Sequence, residues 1–354
     1  MNISVIKTTA PKVKPQDESK LGFGKLFTDH MFIMEYEQGK GWINPRIQPY
    51  QKLSIDPASP VLHYGQEIFE GLKAYRSKKD EILLFRARDN ARRMNQSAKR
   101  LCMPEIDVEM NYEAMAAIVN MEKDWVPHAP GTSLYLRPTM IADGSELGVH
   151  PSKRYLYYII CSPSGAYYPR GLAPIRIYVE DKYVRAVKGG VGFAKTGGNY
   201  AASLLAAQEA AEKGYEQILW LDGVERKYVE EVGAMNMMFL IGDTLCTAAL
   251  EGSILPGVTR MSILALAREM GIKVEERKIS AQELMDAADA GLLKEAFGTG
   301  TAAVVSPVGE LAYKDKSVVI NNGEIGPLTQ KFYDMLTAIQ WGDAEDTHGW
   351  VTRV

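Results

Sequence analysis

Residues 189–213 read GGVGFAKTGGNYAASLLAAQEAAEK and constrain the chain more than any other stretch. Five glycines, at 189, 190, 192, 197 and 198, surround a single lysine, Lys195. Glycine offers no side chain to pack and weakens helix and strand interiors alike, so neither element should run through this stretch. Asn199 is expected to cap a helix built on the Ala/Leu-rich run that follows, with Gly214 as its stop. Lys195 is therefore expected at a strand end or tight turn facing a pocket. Desolvation there lowers the pKa of an amine and makes it a usable nucleophile and base. An ordinary surface lysine is the competing reading, and the other motifs must decide between them.

A length of 354 residues suggests two domains. The net charge of −3 offers no general attraction to nucleic acid or anionic membranes, so neither is expected as a partner. Cys102, Cys161 and Cys246 make no CxxC, zinc spacing or disulfide framework, and no metal site is expected. The N-terminal 20 residues lack the apolar core of a signal peptide. The expectation is a cytoplasmic protein.

Local patterns predict an α+β chain with a small domain over 1–162, a linker over 163–174 and a larger domain over 175–354. Residues 39–60 hold Pro45, Pro49, Pro57 and Pro60 and read as irregular. Strand is expected over 61–75 with a helical turn or break around Gly65–Gly71, and helix over 86–100 and 112–125. In SLYLRPTMIAD the alternation puts Tyr135 and Arg137 on one face and Leu134 and Leu136 on the other. Later in the chain, a helix starts near Thr259 and stops at Gly271. Ser280 with Glu283 forms a capping box, residues 297–305 read as strand, and 328–340 as the last helix.

Two glycine-rich lookalikes fail on physical grounds. Lys195–Thr196 suggests a P-loop, but Ala194 stands where a glycine must let the backbone wrap a phosphate. GTGTAA at 298–303 fits a relaxed dinucleotide fingerprint, yet AVVSPVGEL after it reads as strand where a helix is needed. Gly257-Val258-Thr259, at a helix start, is a better anion site because free N–H groups and the helix dipole favour negative charge there. A simple Pro-Gly turn is the plainer reading. Arg93 lies among Arg92, Lys99 and Arg100 on what could be a solvated face, although one inward guanidinium would bind phosphate strongly. Glu230 and Glu231 are adjacent in a strand and point opposite ways, so one can face a pocket and the other is expected at the surface.

Together these pieces resemble a known family. LGFGKLFTDHMF, HYGQEIFEGLKAY, SLYLRP, GAYYP, GGVGFAKTGGNYAAS, YVEEVGAMN, GSILPGVTR, FGTGTAAVVSPVGEL and LTAIQWG occur in order from residue 21 to 342. In this the chain resembles the branched-chain-amino-acid aminotransferases, pyridoxal 5'-phosphate (PLP) enzymes of fold type IV, in the long form shared by many bacteria and animals. The resemblance implies a small α+β domain and a larger domain with a β-barrel-like sheet flanked by helices. It also implies PLP as cofactor, a homodimer, and reversible transfer of the amino group of L-Leu, L-Ile or L-Val to 2-oxoglutarate.

Residue by residue, Lys195 matches the lysine that carries PLP and moves the substrate proton. Glu231 matches the carboxylate at the pyridine nitrogen and Tyr200 a tyrosine at the phenolate oxygen. Arg93, Val258, Thr259 and Thr299 match the phosphate clamp. Thr301 and Ala302 match groups near the substrate α-carboxylate. Phe27, Tyr64, Phe69, Tyr135 and Tyr167 match the aromatic walls, and Arg137 the arginine for the distal carboxylate of 2-oxoglutarate. Two departures stand out. Ala303 and Ser306 occupy positions where some animal members carry a redox CxxC, and Ala234 replaces a threonine of other members. The alternatives are a D-amino-acid aminotransferase or aminodeoxychorismate lyase of the same fold, and, remotely, a P-loop-like nucleotide-binding module.

Overall fold

The computed structural model describes residues 2–165 and 172–354, which fall into two compact α+β units. The first takes the described residues through Gly165, then Ala194–Gly197 and Ala338–Val354. The second takes residues 172–193 and Gly198–Thr337. Two segments expected with the C-terminal domain, the tetrapeptide bearing Lys195 and the C-terminal tail, thus cluster with the first unit.

In the first unit the described strands are β1 (Ser4–Val5), β2 (His30–Glu37), β3 (Gly41–Pro49), β4 (Glu67–Phe69), β5 (Leu72–Arg76), β6 (Ile82–Phe85), β7 (Ser133–Ala142) and β8 (Arg154–Ser164). The C-terminal strand Val351–Arg353 completes one sheet, ordered β1-β3-β2-β8-β7-β5-β6 and then that strand, with β4 also on β7. Its helices are α1 (Pro60–Tyr64), α2 (Ala87–Arg100) and α3 (Val108–Met121). Leu134 and Leu136 of β7 are buried with Met94 and Ala98 of α2 and Met115 and Ile118 of α3. Each such side chain contributes about 1.5–3 kcal/mol of apolar burial. The predicted alternation along β7 therefore holds. Its leucine face makes the core, and Tyr135 and Arg137 are left for the other side.

Three local readings are corrected. The proline-rich segment 39–60 is not irregular throughout, because it contains β3. Pro45 is accommodated where the β2–β3 register shifts between Ile33 and Glu35, next to Asn44 at φ 53°. A bulge leaves a residue out of the ladder, which suits a residue with no N–H to donate. The segment 61–75 opens as helix: Pro60 takes the first helical turn and Gly65, at φ 59°, ends it left-handed. The helix read from 112 begins at Val108, because the Asp107 side chain accepts from Met110 N–H.

The second unit contains β9 (Ile175–Glu180), β10 (Gln217–Leu221), β11 (Val229–Val232), β12 (Met235–Ile241), β13 (Thr244–Ala248), β14 (Lys273–Arg277), β15 (Leu293–Gly300), β16 (Val304–Tyr313) and β17 (Lys316–Val319). The path β11-β10-β9-β16-β15-β12 returns to β11 and closes a barrel; β13 and β14 extend from β12, and β17 from β16. Closure removes sheet edges and fixes register all round. The expected strand 297–305 is in fact the end of β15, a turn at 301–303 and the start of β16.

Helices α4 (Gly197–Ala201), α5 (Leu204–Glu212), α6 (Val258–Glu269), α7 (Ala281–Asp289) and α8 (Pro327–Gln340) complete the chain. One half of the capping box forms, with Ser280 Oγ accepting from Glu283 N–H at 3.0 Å, while the Glu283 carboxylate accepts from Arg277. Asn199 does not cap. It lies inside α4 and its Nδ2 donates to Val191 O at 2.9 Å, closing the glycine-rich loop across its base. No described helix is long and apolar enough to cross a membrane.

Candidate active site

In the first unit Lys195 is held by its backbone. Its N–H donates to Ser97 Oγ at 2.9 Å, and its carbonyl accepts from Phe69 N–H at 3.0 Å. Lys195 Nζ lies 5.0 Å from the centroid of the Phe69 ring. The guanidinium of Arg137 lies 4.8 Å from the same ring and donates from Nη2 to Tyr135 Oη at 2.9 Å. Arg137 Nε is buried without a hydrogen-bond partner, and among the described residues no carboxylate comes within ion-pair distance of this arginine. An arginine set among aromatic rings without a carboxylate is suited to receive an anion from outside the fold. The first unit thus places a lysine amine, an apolar wall and a carboxylate-binding group around one phenylalanine.

Arg93 is not on a solvated face. It is 6% exposed and meets Glu70, itself 1% exposed, through Nε at 2.8 Å and Nη2 at 2.7 Å. Asn90 Nδ2 donates to the same carboxylate at 2.8 Å. Burial works to raise the Glu70 carboxyl, but Arg93, aided by Lys195 and Asn90, holds it below the usual glutamate value. Glu70 was not singled out from sequence. The signal was available as a carboxylate in FEG beside the arginine helix, but their pairing spans 23 residues.

Other expected wall residues lie elsewhere in this unit. Phe27 stacks on Tyr50 with centroids 5.3 Å apart. Tyr64 is 43% exposed, and its hydroxyl accepts from Gly148 N–H at 3.2 Å. Tyr167 lies outside the described residues.

In the second unit barrel closure aligns a transverse row. Glu231 of β11 pairs with Asn236 of β12, which pairs with Thr299 of β15. Laterally paired residues share a face, so these three side chains project together. Asn236 Nδ2 donates to Leu255 O at 3.0 Å and to Glu231 Oε1 at 3.4 Å, and Thr299 Oγ donates to Asn236 O at 3.4 Å. Glu231 forms a buried ion pair with Arg185, whose Nη2 also donates to Ser253 O at 2.8 Å. The Arg185 guanidinium and the Asn236 amide thus both meet the Glu231 carboxylate.

Glu230 corrects another expectation, since it is buried and not at the surface. Its Oε1 accepts from Ser253 Oγ, and burial raises its carboxyl against the pull of that hydroxyl and of Arg185. Opposite directions along β11 therefore lead to two buried environments, because the barrel strand is covered on both faces.

The α6 N-terminus meets the requirements for an anion. Gly257 is its N-cap, no side chain caps it, and Val258 and Thr259 are buried. A Cβ on Gly257 would overlap Asn236 Oδ1, which ties this turn to the Glu231 row. Thr301 and Ala302 lie in the turn between β15 and β16, and Tyr200 lies half-buried in α4. Taken by itself, the first unit offers a lysine amine suited to an aldehyde, and the second an uncapped helix start suited to a phosphate.

Comparison with known proteins agrees with this chemistry. The family model described as amino-transferase class IV matches residues 67–311. Branched-chain-amino-acid aminotransferase 2 of Bacillus subtilis (strain 168) is 54% identical over 352 residues, covering 99% of this chain and 97% of the relative. The crystal structure of a branched-chain aminotransferase from Thermoproteus uzoniensis with norvaline aligns at TM-score 0.76 and 27% identity, covering 92% of this chain and 99% of the other. A T.th. branched-chain amino acid aminotransferase complexed with N-(5'-phosphopyridoxyl)-L-glutamate aligns at TM-score 0.73 and 27% identity, covering 91% and 97%.

Proposed function

The chain belongs to the amino-transferase class IV family, and we infer that it is a branched-chain-amino-acid transaminase exchanging the amino group of L-Leu, L-Ile or L-Val with 2-oxoglutarate. The observation that carries this reading is Phe69 flanked by Lys195 and Arg137. An apolar wall suits an aliphatic side chain in one half-reaction, and an arginine without its own carboxylate suits a dicarboxylate in the other.

PLP is the proposed cofactor, and when bound it would supply an aldehyde to take up the amino group and a ring to hold carbanion charge. Lys195 would carry it and, once released, move the proton at the substrate Cα. Glu231, paired with Arg185, would hold the proton on the ring nitrogen. Tyr200 would donate to the phenolate oxygen. Arg93, Thr299 and the Val258–Thr259 helix start would bind phosphate. Thr301 and Ala302 would orient the substrate α-carboxylate, while Phe27, Tyr64, Phe69, Tyr135 and Tyr167 would form the side-chain walls. A homodimer is proposed from the family resemblance, and a cytoplasmic location from the polar N-terminal segment and the sparse cysteines.

A donor panel of L-Leu, L-Ile, L-Val and D-Ala, with glutamate formation followed from 2-oxoglutarate, tests the reading, alongside a parallel assay of pyruvate release from aminodeoxychorismate. Turnover of the three L-donors is expected, and equal or better use of D-Ala overturns it. Arg137→Met supplies the sharper check. The KM for 2-oxoglutarate is expected to rise about ten- to a hundredfold, the worth of a charge-assisted hydrogen bond. The KM for L-Leu should change little. An equal rise for both substrates would remove Arg137 from the role of carboxylate reader.

A further inference from the structure

Glu67 opens β4 and touches both residues that follow Lys195. Its Oε1 accepts from the Gly197 N–H and, at 3.4 Å, from Thr196 Oγ. The same Thr196 hydroxyl donates to the Glu67 carbonyl at 2.8 Å. On the other side of the lysine, Ser97 and Phe69 take its own N–H and C=O. Three backbone groups and one hydroxyl around the amine are therefore pinned by α2 and β4. A Cβ on Gly197 would overlap Glu67 Oε1, so the glycine at this position serves the close approach of this carboxyl.

Glu67 and Phe69 alternate onto the same face of β4, and they pair with Ile141 and Thr139 of β7. Arg137 shares that β7 face two residues on, and its guanidinium packs on the Phe69 ring. Glu67 forms no ion pair among the described residues. Burial raises its carboxyl, while Gly197, Thr196 and the charge of Arg137 work to lower it. Its charge is close enough to be sensed by Arg137 but does not neutralise it.

We propose that Glu67 is a positioning residue: its carboxyl pins the Thr196–Gly197 segment so that Lys195 keeps its orientation over Phe69, and its charge tempers the hold of Arg137 on a dicarboxylate. The second half rests on the transaminase reading above; the first stands on geometry alone. The tether explains why a half-buried carboxyl stands against the backbone of residues 196–197. The tempering suits a site that must release the dicarboxylate and admit an aliphatic side chain on alternate turns.

Glu67→Ala and Glu67→Gln, each as the PLP-loaded full chain, test both halves. In Glu67→Ala the Gly197 amide is expected to lose hydrogen-exchange protection, and kcat to fall about tenfold or more for every donor. The effect comes from a displaced catalytic group. In Glu67→Gln the amide oxygen still accepts both bonds, so protection and most of kcat return. The KM for 2-oxoglutarate should then fall about threefold, the scale of one partly screened charge, with that for L-Leu unchanged. Unchanged Gly197 protection in Glu67→Ala overturns the tether whatever the substrate proves to be. A lowered melting temperature with wild-type kcat per loaded site reduces Glu67 to a structural residue and also overturns it. Equal KM shifts for both substrates in Glu67→Gln overturn the tempering. If the wild-type enzyme uses no branched-chain donor, the transaminase reading fails, and the exchange result still decides the tether.

Discussion

Replacing Lys195 by alanine is expected to lower turnover of every amino donor by at least about ten-thousand-fold, because in the proposed mechanism one side chain would supply both the nucleophile and the general base. The fold should survive the change. The contacts that seat this residue run through its backbone N–H to Ser97 and its C=O to Phe69, and alanine keeps both. What disappears is the amine over the Phe69 ring and one of the cations that favour the ionised Glu70 carboxylate. Arg93 remains bidentate on Glu70, so that carboxylate keeps its main partner. The measurement is steady-state glutamate formation from L-Leu, with the visible spectrum of the purified protein and its melting temperature recorded alongside. Loss of the protein-bound visible band together with loss of turnover, at near wild-type melting temperature, is the expected outcome. Turnover within tenfold of wild type would remove Lys195 from the chemistry.

Glu231→Gln is expected to be nearly as damaging, for a different reason. The amide is isosteric and can still accept from Asn236, but it leaves the buried Arg185 guanidinium without its counter-charge. Breaking one side of a buried ion pair costs about 3 kcal/mol or more of stability. Glu230, on whose carboxyl the Arg185 charge also acts, limits the loss. Catalysis has no such reserve, because a neutral amide cannot keep a proton on a ring nitrogen; kcat should fall by roughly a hundred- to a thousandfold, the scale of one removed electrostatic stabiliser. Adding Arg185→Met to Glu231→Gln separates the two effects. The double variant should recover melting temperature, as neutral pairs replacing buried ions often do, while kcat stays low. Recovery of kcat in the double variant would mean that Glu231 serves only to satisfy Arg185.

What could be read from the sequence was what depends on near neighbours along the chain. The glycine-bracketed lysine, the Gly257 helix start, the Ser280–Glu283 cap and the alternation of Tyr135 and Arg137 each follow from residues within one turn or strand. What escaped depends on partners far apart. Glu70 and Glu67 look like any two glutamates of an HYGQEIFEG run until α2 and the lysine segment are laid against them. Arg185 sat unremarked in a loop, since only barrel closure delivers Glu231 to it. Glu230 was assigned to solvent by a rule for sheets with one wet face, and a covered barrel strand has none. Pro45 argued against a strand because nothing local announces the bulge that accommodates it.

The C-terminal strand Val351–Arg353 pairs antiparallel with Ile82–Phe85. During synthesis this means that the first sheet, most of whose residues leave the ribosome early, waits for residues 351–353 before its border is covered. Until then β6 presents unpaired backbone groups, the kind of border that recruits strands from other chains. The whole second unit is made in that interval. The nascent protein therefore passes through a long stage in which it is vulnerable to association, and loss of residues 351–353 would prolong that stage indefinitely while leaving every proposed active-site residue in place.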